Sequence, residues 1–170
     1  MRRLVDGFYA ALMALAAVAL LLCFGAVMLG IADRQFGWGF RGLDAYAGYG
    51  IAAALFLALP GTLQKGEHIR VTLLLQRLPA PWRRAFEWWS LVAGLLLAAM
   101  LAGYACRLVW VSWLTHDISQ GSDATPLWLP QAAMALGCVG LFVALADAAL
   151  CRATGTVFQQ AGMGEAARVE

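Results

Sequence analysis

The chain has 170 residues, of which 62% are hydrophobic and 13% charged, with a formal net charge of +2 and a mean hydropathy of +0.73. A soluble domain carries about 25% charged residues, and at 170 residues the expectation is four spans with short loops and no room for a separate soluble domain. The small net charge gives no support to nucleic-acid binding, which needs a clustered basic face.

Four apolar runs without a charged residue account for about half of the chain, over 8–32, 45–63, 88–106 and 126–146. About 20 helical residues at 1.5 Å rise cross a hydrocarbon core of about 30 Å. Each run therefore predicts a transmembrane helix. The expected fold class is an all-α polytopic membrane protein, with one four-helix membrane domain over 1–154.

Arg2 and Arg3 open the chain like the first part of a signal peptide. The apolar run behind them is too long for a signal h-region of 7–15 residues and has no polar cleavage region, which predicts an uncleaved first span. The second run begins after Asp44 and contains Pro60, which predicts a kink near its end. Small residues recur at fourfold spacing in two spans: Gly50, Ala54, Ala58 and Thr62, then Gly94, Ala98, Ala102 and Cys106. Such stripes let helix backbones approach closely in lipid and predict a compact bundle, alone or docked on another membrane protein.

Between the second and third runs, Val71, Leu74, Leu75 and Leu78 fall at i, i+3, i+4 and i+7. That spacing predicts a short amphipathic arm helix over about 68–78, lying in the membrane interface. Ile69 and Leu73 on its other side suggest contact with lipid below and protein above. Pro79-Ala80-Pro81 then ends it. Trp88 and Trp89 at one end of the third run, and Trp110 and Trp113 at the other, are about 33 Å apart as helix and match two aromatic belts. The residues from 155 to 170 read as a polar, flexible tail.

Charge sets the expected orientation. Arg2, Arg3, Lys65, Arg70, Arg77, Arg83, Arg84, Arg152 and Arg168 lie on one side, and only Arg34, Arg41 and Arg107 on the other. The positive-inside rule then puts both termini in the cytoplasm.

No ionisable residue falls within an apolar run; Asp44, Glu87, Arg107 and Asp147 stand at the edges. A proton-coupled exporter would need a mid-membrane carboxylate. A haem-b anchor would need span histidines, and His68 and His116 are loop residues on opposite sides. Cys23, Cys106, Cys138 and Cys151 form no CxxC pair and read as packing residues. The sequence thus points to a non-catalytic membrane subunit with no cofactor and no metal site. Its alternatives are an anchor subunit of a redox complex or a small self-sufficient four-span transporter.

The segment Gly66-Glu67-His68-Ile69-Arg70-Val71 after the second run resembles the signature of the small, DctQ-like membrane subunit of TRAP (tripartite ATP-independent periplasmic) transporters. Leu78-Pro79, Asp44 at the opening of the second span, and Leu127-Trp128-Leu129-Pro130 before the fourth also resemble that family, although Glu is more usual at the position of Asp44. The resemblance implies a role in a bacterial inner membrane. It implies a scaffold for a large multispan subunit of elevator type, in sodium-coupled uptake of an organic acid brought by a periplasmic binding protein. Sodium coupling is then expected in the large subunit. Glu67, His68 and Arg70 become candidates for polar contacts at the turn into the arm helix, with Glu67 paired to Lys65 or Arg70. Arg34, Arg41, Asp117 and Asp123 become candidates for contact with the binding protein. Substrate identity is not expected to reside in this chain.

Overall fold

The computed structural model describes residues 2–65 and 79–155. They form four helices: α1 (Arg2–Phe36), α2 (Leu43–Lys65), α3 (Ala80–Thr115) and α4 (Trp128–Thr154). All four are long and apolar enough to cross a membrane. The expected arm helix over 68–78 and most of the tail lie outside the described residues.

The helices overrun the apolar runs. With 35 and 36 residues, α1 and α3 are each about 52–54 Å long, well beyond a 30 Å hydrocarbon core. Hydropathy marks where a helix can sit in lipid, not where its hydrogen bonds stop. Glu87, Arg107 and Asp147 consequently stand about two turns inside their helices rather than at the ends. The fourth helix begins at Trp128, not Pro126, because Pro126 is used in an antiparallel bridge to Ile118. Pro130 falls in the first turn of α4, where its missing N–H would have had no helical acceptor.

Packing follows the order α1, α2, α4, α3. The dominant contacts are α1 with α2, α2 with α4, and α4 with α3. On α1 the buried residues are Tyr9, Leu12, Ala16, Ala19 and Cys23, at steps of three and four. That 3.5-residue period is the seam of shallow left-handed helix packing. On α3 the seam runs through Ala98, Ala102, Ala105 and Ser112.

The fourfold stripes are only partly used. Ala98 and Ala102 are buried, but Cys106, the next member, is exposed and Ala105 takes its place. Four residues turn a helix by about 400°, so a fourfold stripe drifts off a fixed neighbour. In α2, Gly50 packs against Ala19 and Cys23 of α1, whereas Thr62 turns its hydroxyl onto the carbonyls of Ala58 and Leu59.

Pro60 is buried inside α2 and does not end the helix. It has no N–H to donate to the carbonyl of Phe56, four residues back. Gly137 of α4 lies against that carbonyl. A Cβ at Gly137 would come within 2.4 Å of the Phe56 carbonyl carbon and oxygen. The two helices therefore approach backbone to backbone where one lacks a hydrogen bond and the other lacks a side chain.

One end of the bundle is tied by polar contacts. Gln64 donates to Asp6 at 2.6 Å, joining α2 to α1, and Arg152 pairs with Glu87, joining α4 to α3. Between these ties Tyr9 packs with Leu63, Ala144, Ala148 and Cys151, so α1, α2 and α4 meet around one ring. Tyr9 is 1% exposed, and its hydroxyl has no hydrogen-bond partner among the described residues. Tyr9→Phe is therefore expected to leave stability unchanged or raise it, since no bond is lost. Tyr9→Ala should cost about 3–5 kcal/mol through the cavity it opens. Denaturation midpoints of the two variants in mixed micelles check this.

Candidate functional site

The end of the bundle opposite the Asp6–Gln64 tie carries most of the candidate residues described. The backbone after α3 turns at His116, which is left-handed (φ 51°) and donates its N–H to the Ser112 carbonyl. The next ten residues form a small hairpin. Ser119 N–H donates to Thr125 O at 2.8 Å, and Leu127 N–H to Asp117 O at 2.9 Å.

Asp123 locks this hairpin onto α2. Ser119 Oγ donates to Asp123 Oδ1 at 2.8 Å, and Tyr49 Oη donates to Asp123 Oδ2 at 3.1 Å. Tyr49 Oη also lies 3.1 Å from Ser119 Oγ, and Thr125 Oγ1 donates to Tyr46 Oη at 3.2 Å. On the far side Gly42, at φ +82°, brings the first loop against the Asp123 backbone. Asp123 thus joins the start of α2 to the hairpin through its carboxylate and meets the first loop through its backbone and Cβ.

Desolvation raises the Asp123 pKa, but hydrogen bonds from Ser119, Thr125, its own backbone and Tyr49 outweigh it. The carboxyl is held below its ordinary 3.8. A depressed folded pKa means that Asp123 stabilises the hairpin at pH values above 3.8. That contribution is lost as pH falls through the lower folded value. Hydrogen exchange of the Ser119 and Leu127 amides should show full protection well above the ordinary carboxylate pKa and loss at acid pH before the helical amides, as Asp123 takes up its proton. Asp123→Asn should remove the difference.

The other candidates at this end stand apart from that lock. Arg34 and Asp44 form an ion pair at 3.5 Å with side chains 75% and 90% exposed. Such a pair contributes at most about 1 kcal/mol. Arg41 and Asp117 are exposed on the same end. Beside them Phe36 stacks on Trp38, and Trp38 meets Phe40 edge to face, in a loop pinned by the Phe40 N–H on Asp33.

At the opposite end Pro79 immediately precedes α3 with extended backbone, exposed. Pro130 is half-buried in the first turn of α4. Gly66, Glu67, His68, Ile69, Arg70 and Val71 lie outside the described residues. The structure therefore brings Asp44 to Arg34 and Asp123 to α2, and it does not join Asp117 or Arg41 to either.

The local sequence pattern assigns no role to Tyr46, Tyr49, Ser119 or Thr125. A signal was present: Tyr46 and Tyr49 are three residues apart, on one face at the end of an apolar run. Their partners, 70 to 79 residues away, had no signal in the local pattern.

The family model for the DctQ component of tripartite ATP-independent periplasmic transporters matches residues 23–155. No curated protein and no solved structure matches the chain. The matched stretch begins within α1, takes in α2 and α3, and ends one residue past α4. It covers well over half of the sequence, and the four membrane-capable helices follow one another through it. The chain therefore belongs to the DctQ family, the small permease component of TRAP transporters.

Proposed function

We propose that this subunit is a non-catalytic scaffold, embedded in a bacterial inner membrane with both termini cytoplasmic. It supports a large elevator-type subunit that takes up an organic acid, coupled to sodium and delivered by a periplasmic binding protein. In this reading the chain carries no cofactor and no catalytic residue.

The observation that carries the reading is the width of its unpartnered apolar surface. Within the family match, Val92, Leu96, Leu97 and Met100 are all exposed along α3, which packs mainly on α4. Lipid alone can cover such a face, but a scaffold needs one. The lack of any charged residue in the four apolar runs supports the same view, because a transport pathway through this chain would require polar lining. The excess of Lys and Arg on one side supports the orientation. Glu67, His68 and Arg70 are proposed to make polar contacts where the arm helix, lying in the interface, leaves the second span. Arg34, Arg41, Asp117 and Asp123 are proposed to lie on the face offered to the binding protein, with the Asp123 carboxylate already engaged in the hairpin.

The test is affinity purification of the tagged chain in mild detergent after co-expression with its neighbouring genes. A large multispan protein recovered in fixed ratio supports the scaffold role. Recovery of this chain alone, stable and monodisperse, would falsify it. Alanine substitutions at Glu67, His68 and Arg70 that left assembly and uptake intact would remove their assigned role. Charge reversal at Arg41 and Asp117 should weaken uptake without loss of assembly.

A further inference from the structure

An open groove of about 410 Å³ runs along the surface shared by α3 and α4. Leu101, Tyr104, Ala105, Leu108 and Met134 form an almost wholly apolar wall, and Arg107 also lines it. The volume is in the range of roughly 300–1,000 Å³ typical of small-molecule sites. The groove has a packing origin. Ala102, Ala105, Ala135 and Cys138 are buried together and let the two helices approach, while Leu101, Tyr104 and Leu108 remain exposed beside them.

Arg107 is the only Lys or Arg between Trp88 and Cys151. It is exposed, and no described acid pairs with it. It precedes the exposed Trp110 and Trp113 by three and six residues, about 4.5 and 9 Å along the helix. Trp residues mark the headgroup level, and a long cationic side chain just inside that level reaches up to it. The apolar wall extends from there toward the bilayer centre, through Tyr104 and Leu101.

We propose that this groove holds one phospholipid, with an acyl chain along Leu101, Ala105 and Met134 and the phosphate on the Arg107 guanidinium. A guanidinium fork matches phosphate oxygens two at a time. A partner helix seated here would have to bring an acid to Arg107 at the membrane edge, at a desolvation cost. A phospholipid carries its anion at that depth already.

The test uses the full chain purified from membranes with any subunit that accompanies it. The sample is delipidated and then offered palmitoyl-oleoyl phosphatidylglycerol. Native mass spectrometry reads the bound lipid. One lipid should persist on the wild type, and a diacylglycerol with the same chains should not. Arg107→Gln should lower occupancy at least tenfold, and Arg107→Lys should retain most of it. Leu108→Trp, which fills the groove and keeps the charge, should also lower occupancy. Equal occupancy in the wild type and Arg107→Gln overturns the proposal, as does equal retention of the diacylglycerol. A crosslink from Leu108→Cys to a co-purifying subunit overturns it in favour of a protein occupant. Recovery of that subunit is read in the same sample, so loss of lipid and loss of assembly are told apart.

Discussion

Gly137→Val is expected to destabilise the chain by about 3 kcal/mol or more, at or above the top of the usual range for overpacking. The added atoms would meet the Phe56 carbonyl group, which is backbone and cannot move aside by changing a rotamer. Relief requires α2 and α4 to separate, and that contact joins the α1–α2 pair to the α4–α3 pair. Failure should therefore appear as loss of the whole bundle rather than local fraying. A matched control is Gly103→Ala on α3, where an added Cβ meets nothing within 4 Å. Gly103→Ala should stabilise by roughly 0.5–1 kcal/mol, because Ala forms helix better than Gly. Denaturant titration in mixed micelles, followed by circular dichroism, separates the two. A Gly137→Val variant as stable as the wild type would mean that α2 and α4 do not meet here.

Gly42→Ala is expected to cost about 2–4 kcal/mol, with the effect centred on the hairpin after α3. Two terms add. The left-handed backbone at φ +82° costs a residue with a Cβ about 1–2 kcal/mol. The Cβ would also lie 2.5 Å from the Asp123 Cβ and 2.8 Å from its Cα. Gly39, at φ +79°, is also in the positive-φ region and has open space around it. Gly39→Ala should cost only the first term. The difference between the variants measures the contact between the first loop and the hairpin. Hydrogen exchange of the Ser119 and Leu127 amides should rise in Gly42→Ala and stay near wild type in Gly39→Ala.

Both glycines lie where the sequence offered little warning. The fourfold stripe drew attention to Gly50 and Gly94, and Gly50 does sit at a close helix contact with α1. Gly137 belonged to no stripe. Its importance comes from Pro60, 77 residues earlier, and neither residue predicts the other without the α2–α4 contact. Asp123 is a similar case. As a charged residue in a loop it read as surface available to a partner. Its carboxylate accepts hydrogen bonds from Tyr49 and Ser119, and this became visible only when the hairpin was folded back over α2.

Sequence alone determined that four segments are long and apolar enough to cross a membrane, roughly where each lies, and which family the chain resembles. Those properties depend on hydropathy summed along one segment and on a short motif, and both are local. Tertiary structure decided which faces meet, that α2 and α4 form the central contact, and where the helices end. It also decided that the α3 seam takes Ala105 in place of Cys106, and that Asp123 serves the chain's own fold. In an all-apolar span every face looks alike to a hydropathy pattern. The choice between faces is made by close contacts of small residues and by a few hydrogen bonds between residues distant in sequence.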